Sequence, residues 1–112
     1  MSSEIDSKIR KMMAEMPAAF KPERAAGVNA TVRYDLTGEG GSVWTTWLSE
    51  EGCKVVEGDG GVETPTLTVT MEAADYIEMM AGRLDPMQAF MLGKIRINGD
   101  IMLATRLMSF FR

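Results

Sequence analysis

Apolar residues recur at helical spacing along the first stretch of the chain, where Ile5, Ile9, Met12, Met13 and Met16 form one stripe over residues 3–16. Glu4 and Lys8 make a favourable pair on the polar side, and Lys11 with Glu15 adds the reversed, weaker one. Pro17 is expected to end this helix, leaving Phe20, Pro22 and Gly27 in a connection. From Val28 onward the period changes to two. Ala30, Val32, Tyr34 and Leu36 alternate with Thr31, Arg33 and Asp35, as in a half-buried strand. A turn rich in glycine (Gly38, Gly40, Gly41) leads to a second strand over 42–49, with Trp44 and Leu48 on one face and Val43 and Trp47 on the other. A short third strand over 53–57 follows the Glu50-Glu51-Gly52 turn. In a fourth, over 66–71, Leu67, Val69 and Met71 oppose Thr66, Thr68 and Thr70. Short turns between successive strands favour antiparallel pairing.

The last third returns to helical spacing. Residues 72–81 carry Ala73, Tyr76, Ile77 and Met80 on one face, acids Glu72 and Asp75 in the first turn, and Gly82 placed to cap the end. Asp85, Pro86 and Gln88 together signal the start of another short helix, which Gly93 ends. Residues 94–98 read as a fifth strand with Ile95 and Ile97 facing in, and Gly99 and Asp100 turn into a closing helix over 101–111. This order predicts an α+β fold: a five-stranded, mostly antiparallel sheet with helices packed on one face. Arg106 is the only charge in the closing segment, whose Leu103, Leu107, Phe110 and Phe111 form one face that Met102 and Met108 extend. A helix apolar nearly all round is expected to be buried on most sides. It is either a core helix, or a helix with one side on the sheet and the other lining a cavity.

Composition narrows the chemistry. The 112 residues, 46% of them apolar, suit one domain over 1–112 with a single core. Sixteen acidic against twelve basic residues, a net charge of −4, argue against a nucleic-acid partner. With no histidine there is no Ser-His-Asp or Cys-His site and no His-ligated metal. The one cysteine, Cys53, reads as a small hydrophobe, since nothing beside it would activate a nucleophile. The glycine clusters at 38–41 and 58–61 are not followed by Lys-Ser/Thr and read as hairpin turns rather than phosphate loops. No pair of carboxylates is held in a motif for acid–base work. The expectation is therefore no enzyme and no cofactor. Glu4, Asp6 and Lys8 stand where a signal peptide needs its apolar stretch, and no apolar run approaches the ~20 residues of a span, so a cytoplasmic location is expected. Methionine is the outlier: there are eleven, seven of them between Met71 and Met108. Methionine adapts to irregular or variable apolar partners, so either the core is loose or something apolar is accommodated in it.

Several local patterns together resemble the sterol carrier protein 2 (sterol-transfer) domain family. They are Gly82-Arg83-Leu84-Asp85-Pro86, then Ala89-Phe90-Met91, then Gly93-Lys94-Ile95-Arg96-Ile97-Asn98-Gly99-Asp100. Upstream, Phe20 with Gly27, the strand ending Leu36-Thr37-Gly38, Trp44 with Leu48, and Leu67-Thr68 ahead of Glu72 keep the same order. The resemblance implies that sheet and helices enclose an apolar tunnel for a lipid: a sterol, fatty acid, fatty acyl-CoA or phospholipid, or an isoprenoid-like molecule. On that basis the expected lining is Ile77, Met80, Phe90, Met91, Ile95, Met102, Leu103, Leu107, Met108 and Phe110. The closing helix, through Met102, Leu103 and Met108, is expected to move against Ile77, Met80 and Met91 as a gate. Where family members often carry a glutamine before the Gly-Lys, this chain has Leu92, which implies a more uniformly apolar pocket. The ending Ser109-Phe110-Phe111-Arg112 is not a Ser-Lys-Leu-type peroxisomal address, and no extension follows to fold over a tunnel mouth, as expected of a compact stand-alone version. Arg83, Lys94, Arg96 and Arg106 are candidate anchors for an anionic head group, against their reading as a solvated face. Expected partners are a small lipid, a transient membrane contact and at most a weak homodimer. The alternative is an accessory module that docks on a lipid- or quinone-metabolising enzyme, or presents substrate to it, through an exposed apolar patch at Phe110 and Phe111 or along the first helix.

Overall fold

Ser3 sets the start of the first helix: its hydroxyl accepts from the Asp6 backbone N–H at 2.9 Å, an N-cap that satisfies one of the orphan donors. The computed structural model describes residues 3–111, so Met1, Ser2 and the closing Arg112 lie outside it. Helix α1 spans Glu4–Ala19 and is followed by a 3₁₀ turn at Pro22–Arg24. Strands β1 (Asn29–Thr37), β2 (Val43–Ser49), β3 (Gly52–Glu57) and β4 (Leu67–Glu72) come next. Helices α2 (Ala73–Met80) and α3 (Pro86–Met91), strand β5 (Ile95–Gly99), helix α4 (Ile101–Leu107) and a 3₁₀ turn (Met108–Phe111) complete the chain.

The sheet order is β3-β2-β1-β4-β5. Three neighbouring pairs are antiparallel as expected, and β1 with β4 is parallel. A parallel neighbour needs a crossover. Residues 58–66 supply it by crossing the sheet's outer face, where Arg33 Nη2 donates to the Val62 carbonyl and Gly60 lies against the Trp47 indole. On the inner face, Ala30, Val32, Tyr34 and Leu36 of β1, Trp44 and Leu48 of β2, and Leu67, Val69 and Met71 of β4 are buried. These are the residues whose alternation marked them, and the helices pack over them.

The helix termini follow their start signals. Asp85 accepts from the Gln88 N–H at 2.9 Å and Asp100 from the Leu103 N–H at 3.0 Å, capping α3 and α4. Two expectations are corrected. Helix α1 does not stop at Pro17 but runs through it to Ala19. The buried residues Ile9, Met13, Met16 and Phe20 keep helical spacing across the proline, so burying Phe20 outweighs the one hydrogen bond that Pro17 cannot make. In α2 the fully buried side chains are Ala73, Tyr76 and Met79, while Ile77 and Met80 are only half-buried.

Candidate functional site

The expected lining residues divide three ways. Ile95, Leu103, Leu107 and Phe110 are buried in the core. Ile77, Met80 and Met108 are half-buried against it. Phe90, Met91 and Met102 face solvent, with exposures of 51, 79 and 72%. The expectation that the closing helix is buried nearly all round is therefore overturned. Its buried stripe is Leu103, Leu107 and Phe110, at i, i+4 and i+7, and the apolar surplus at Ile101 and Met102 points outward. Helix α3 is more extreme, since only Ala89 is buried while Met87, Phe90 and Met91 are exposed, as is Leu92 just beyond. Among the described residues, every exposed large hydrophobic falls within 87–102, at the two ends of the edge strand β5. Between them Ile97, on the inner face opposite buried Val69, is only half-covered. Met87, Leu92 and Ile101 were not among the expected lining. Their only sequence signal is that each is apolar yet off the stripe its helix buries.

One end of the closing segment is pinned. The Phe110 ring meets Phe20 edge-on at 6.0 Å and Phe111 lies 5.6 Å from Phe20. The Lys21 N–H donates to the Phe110 carbonyl at 2.7 Å, and Arg24 Nη1 donates to the Ser109 carbonyl at 3.2 Å. The other end, at Ile101 and Met102, is held by the Asp100 cap and by Gly99, where a Cβ would collide with the Thr66 carbonyl oxygen. The apolar docking patch expected at Phe110 and Phe111 is absent, because Phe110 is fully buried and Phe111 half-buried. The stripe of α1 is likewise covered: Ile9, Met13 and Met16 are buried and Ile5 and Met12 half-buried.

The expected basic cluster also separates. Arg83 pairs with Glu78 at 2.7 Å, and Arg106 lies over the Phe110 ring at 5.5 Å. Lys94 and Arg96 remain together, exposed, and line an open cleft of about 520 Å³ with Glu72, Asp75, Thr70 and Gly93. The strand register explains the meeting: Thr70 faces Arg96 and Met71 faces Ile95, and one step beyond stand Glu72 and Lys94.

Beneath the helices, Tyr34 and Tyr76 pack edge-on at 5.7 Å and both are buried. Burial pushes both phenols above their ordinary range. Burial also pushes the Cys53 thiol up to about 11, so it stays a thiol at neutral pH, as its reading as a small hydrophobe requires. Among the described residues no helix is long and apolar enough to cross a membrane.

The profile of the SCP-2 sterol transfer family matches residues 9–112. The chain belongs to that family. The α+β architecture with helices on the inner face of a five-stranded sheet is the one found in solved SCP-2 structures. The sterol carrier protein domain 2 of Helicoverpa armigera superposes with a TM-score of 0.76 at 27% identity, over 97% of this chain and 90% of that one. Palmitated SCP2L2 from Aedes aegypti superposes with a TM-score of 0.69 at 27% identity, over 96% and 91%. Among curated sequences, hydroxysteroid dehydrogenase-like protein 2 of Rattus norvegicus is 34% identical over 89 residues. That match takes in 80% of this chain but only 17% of that protein's length.

Proposed function

We propose that this SCP-2 domain binds a long aliphatic lipid, of the fatty-acid or fatty-acyl class, without catalysing its conversion. The lipid enters between α3 and the N-terminal end of α4. The observation that carries this is the confinement of every exposed large hydrophobic among the described residues to 87–102, beside half-buried Ile77, Met80, Ile97 and Met108. Exposed apolar side chains concentrated on one part of a small domain mark a binding surface. The methionines among them repack at low cost around a chain of variable shape. Palmitate occupancy in the mosquito relative and the sterol transfer of the family's own description support the same class of ligand. A sixteen-carbon chain gains ~0.8 kcal/mol per buried methylene, about 12 kcal/mol gross before ordering losses.

The lining is Ile77, Met80, Phe90, Met91, Ile95, Met102, Leu103 and Leu107, with Met108 and Phe110 at the closed end. The gate proposed here refines the one expected from sequence. Because the segment is pinned at Phe110, Met108 sits near the pivot, and opening releases the Asp100 cap so that Met102 and Leu103 move away from Met80 and Met91. Native against denatured mass spectrometry of the purified domain, with organic extraction of what dissociates, tests the proposal. A stoichiometric fatty acid or acyl ester, or one-to-one uptake of added palmitate, is the expected result. A mass that stays free of lipid after incubation with palmitate, palmitoyl-CoA and cholesterol overturns it.

A further inference from the structure

Strand β5 stands at one end of the sheet. The Asp100 N–H donates at 3.0 Å to the Thr66 carbonyl, one step beyond the Leu67–Gly99 pair of the β4–β5 register. Ladder bonds in an antiparallel pair fall on every second residue, so Asn98 and Arg96 also turn their backbone groups towards β4. Ile95, Ile97 and Gly99 turn theirs away from it. Ile95 is buried, but Ile97 is half-exposed and Gly99 exposed, and no turn or loop bond takes up their N–H groups among the described residues. An open edge of this kind is a template for another strand. At the far edge, by contrast, α1 packs against β3, and Arg10 donates from Nη1 and Nη2 to both Glu57 carboxylate oxygens at 2.8 and 3.0 Å. An aliphatic chain makes no use of backbone N–H and C=O groups, so the lipid site leaves the β5 edge unexplained.

The edge fits a second copy of itself. An antiparallel two-fold pair centred on Asn98 sets Ile97 opposite Gly99 of the other copy on both sides of the axis. Both residues turn their backbone groups outward, so each such pair exchanges both of its N–H···O=C bonds. The same register sets Arg96 opposite Asp100 of the other copy, a cation against an anion. Arg96 forms no ion pair among the described residues, and Asp100 uses only Oδ1 for its cap, leaving Oδ2 without a hydrogen bond among them. A foreign strand meets Arg96 as an unmatched charge, whereas the chain's own strand meets it with Asp100. Centring the pair on Ile97 would instead draw on buried Ile95 and set Arg96 opposite Asn98.

The apolar surface is placed to match. Met87, Phe90, Met91 and Leu92 precede β5 and Ile101 and Met102 follow it, all exposed. A two-fold antiparallel pair brings the end of α3 in one copy beside the start of α4 in the other, so the two groups cover each other. These side chains are between half and four-fifths exposed. At roughly 200 Å² for each when fully open, they present about 800 Å² per copy, the share that a stable interface takes from each partner.

We propose that two copies of this chain pair through β5 about a two-fold axis at Asn98, joining their five-stranded sheets into one. The pairing does not rest on the lipid-binding reading, because its register comes from backbone groups and charges that the aliphatic site does not use.

The test is sedimentation velocity of the whole, delipidated chain over a concentration series. A monomer–dimer equilibrium in the micromolar range is expected. Arg96→Glu sets two carboxylates opposite each other and is expected to weaken the dimer by roughly tenfold or more. Asn98→Cys in a Cys53→Ala background reads the register, since a non-hydrogen-bonded pair on the axis has Cα atoms about 4.5 Å apart, within disulfide reach. Mild oxidation is expected to cross-link that chain into a dimer, and to leave Arg96→Cys in the same background a monomer. A parent chain that stays monomeric to about 1 mM overturns the proposal. So does a dimer indifferent to Arg96→Glu, or an Asn98→Cys chain that cross-links no faster than the Arg96→Cys chain. If Arg96→Glu fails to fold, the salt dependence of the parent dimer decides, and a dimer no weaker at high salt overturns the proposal. Palmitate uptake, read by native mass spectrometry at a concentration where the chain is monomeric, separates the two proposals. Uptake by a chain that never dimerises removes the strand pairing alone, and a dimer without uptake removes the aliphatic site alone.

Discussion

Replacing Phe110 with alanine tests where the packed core ends and a ligand-accommodating space begins. The ring is fully buried, meets Phe20 edge-on at 6.0 Å and lies under the Arg106 guanidinium at 5.5 Å. Truncating such a ring in a formed core removes its transfer free energy and leaves a cavity, together about 3–5 kcal/mol. The aromatic contact with Phe20 supplies ~0.5–1.5 kcal/mol of that. Set against the roughly 5–15 kcal/mol that holds a domain of this kind together, the loss is a large share, equivalent to a fall in Tm of about 12–20 °C. Urea unfolding followed by tryptophan fluorescence reads it, since Trp44 is buried in the same core. A palmitate titration runs in parallel under conditions where the variant is folded. The expected pattern is a large stability loss with palmitate stoichiometry kept, because Phe110 lies at the closed, pinned end of the segment. A loss below about 1 kcal/mol would show that the ring packs against little. Together with a gain in affinity for longer chains, it would show that the ligand space runs on past Phe110 and refute a closed, pinned end there.

Three further predictions follow from the same geometry. Met91→Ser combined with Met102→Ser, both at exposed positions, should leave stability within about 0.5 kcal/mol and slow palmitate uptake in stopped-flow; unchanged uptake removes these residues from the entry. Asp100→Ala deletes the 3.0 Å cap on the Leu103 N–H and should cost about 1 kcal/mol in urea unfolding while speeding palmitate release, because the N-terminal end of α4 then frays; release as slow as in the parent protein would refute a gate at that end. Burial raises the Cys53 thiol to about 11, so the native state keeps a proton that the unfolded chain has already shed, and stability should fall as pH rises towards that value. Iodoacetamide should accordingly label native Cys53 roughly a hundredfold more slowly than the urea-unfolded chain at mildly alkaline pH, and equal rates would refute its burial.

What could be read from the chain and what could not divide along a physical line. Alternation in β1 and β4 marks Val32, Tyr34, Leu67 and Val69 as inward because a sheet with one covered face permits little else, and the structure buries all four. Caps at Asp85 and Asp100 are equally local and equally legible. Pro17 misleads because the proline penalty is local whereas the pull of Phe20 into the core is not. The cleft is beyond any local pattern, since more than twenty positions along the chain separate Glu72 from Lys94 and only the pairing of β4 with β5 joins them. The closing helix shows the deepest reason. Periodicity identifies the stripe of Leu103, Leu107 and Phe110 that the core must take, but it is silent about the apolar residues left over. Ile101 and Met102, like Met87 and Met91 in α3, are that remainder. A domain selected only to fold would place polar side chains there at no cost to its core. Their presence outside the buried stripe is therefore better explained by what the protein meets than by how it folds.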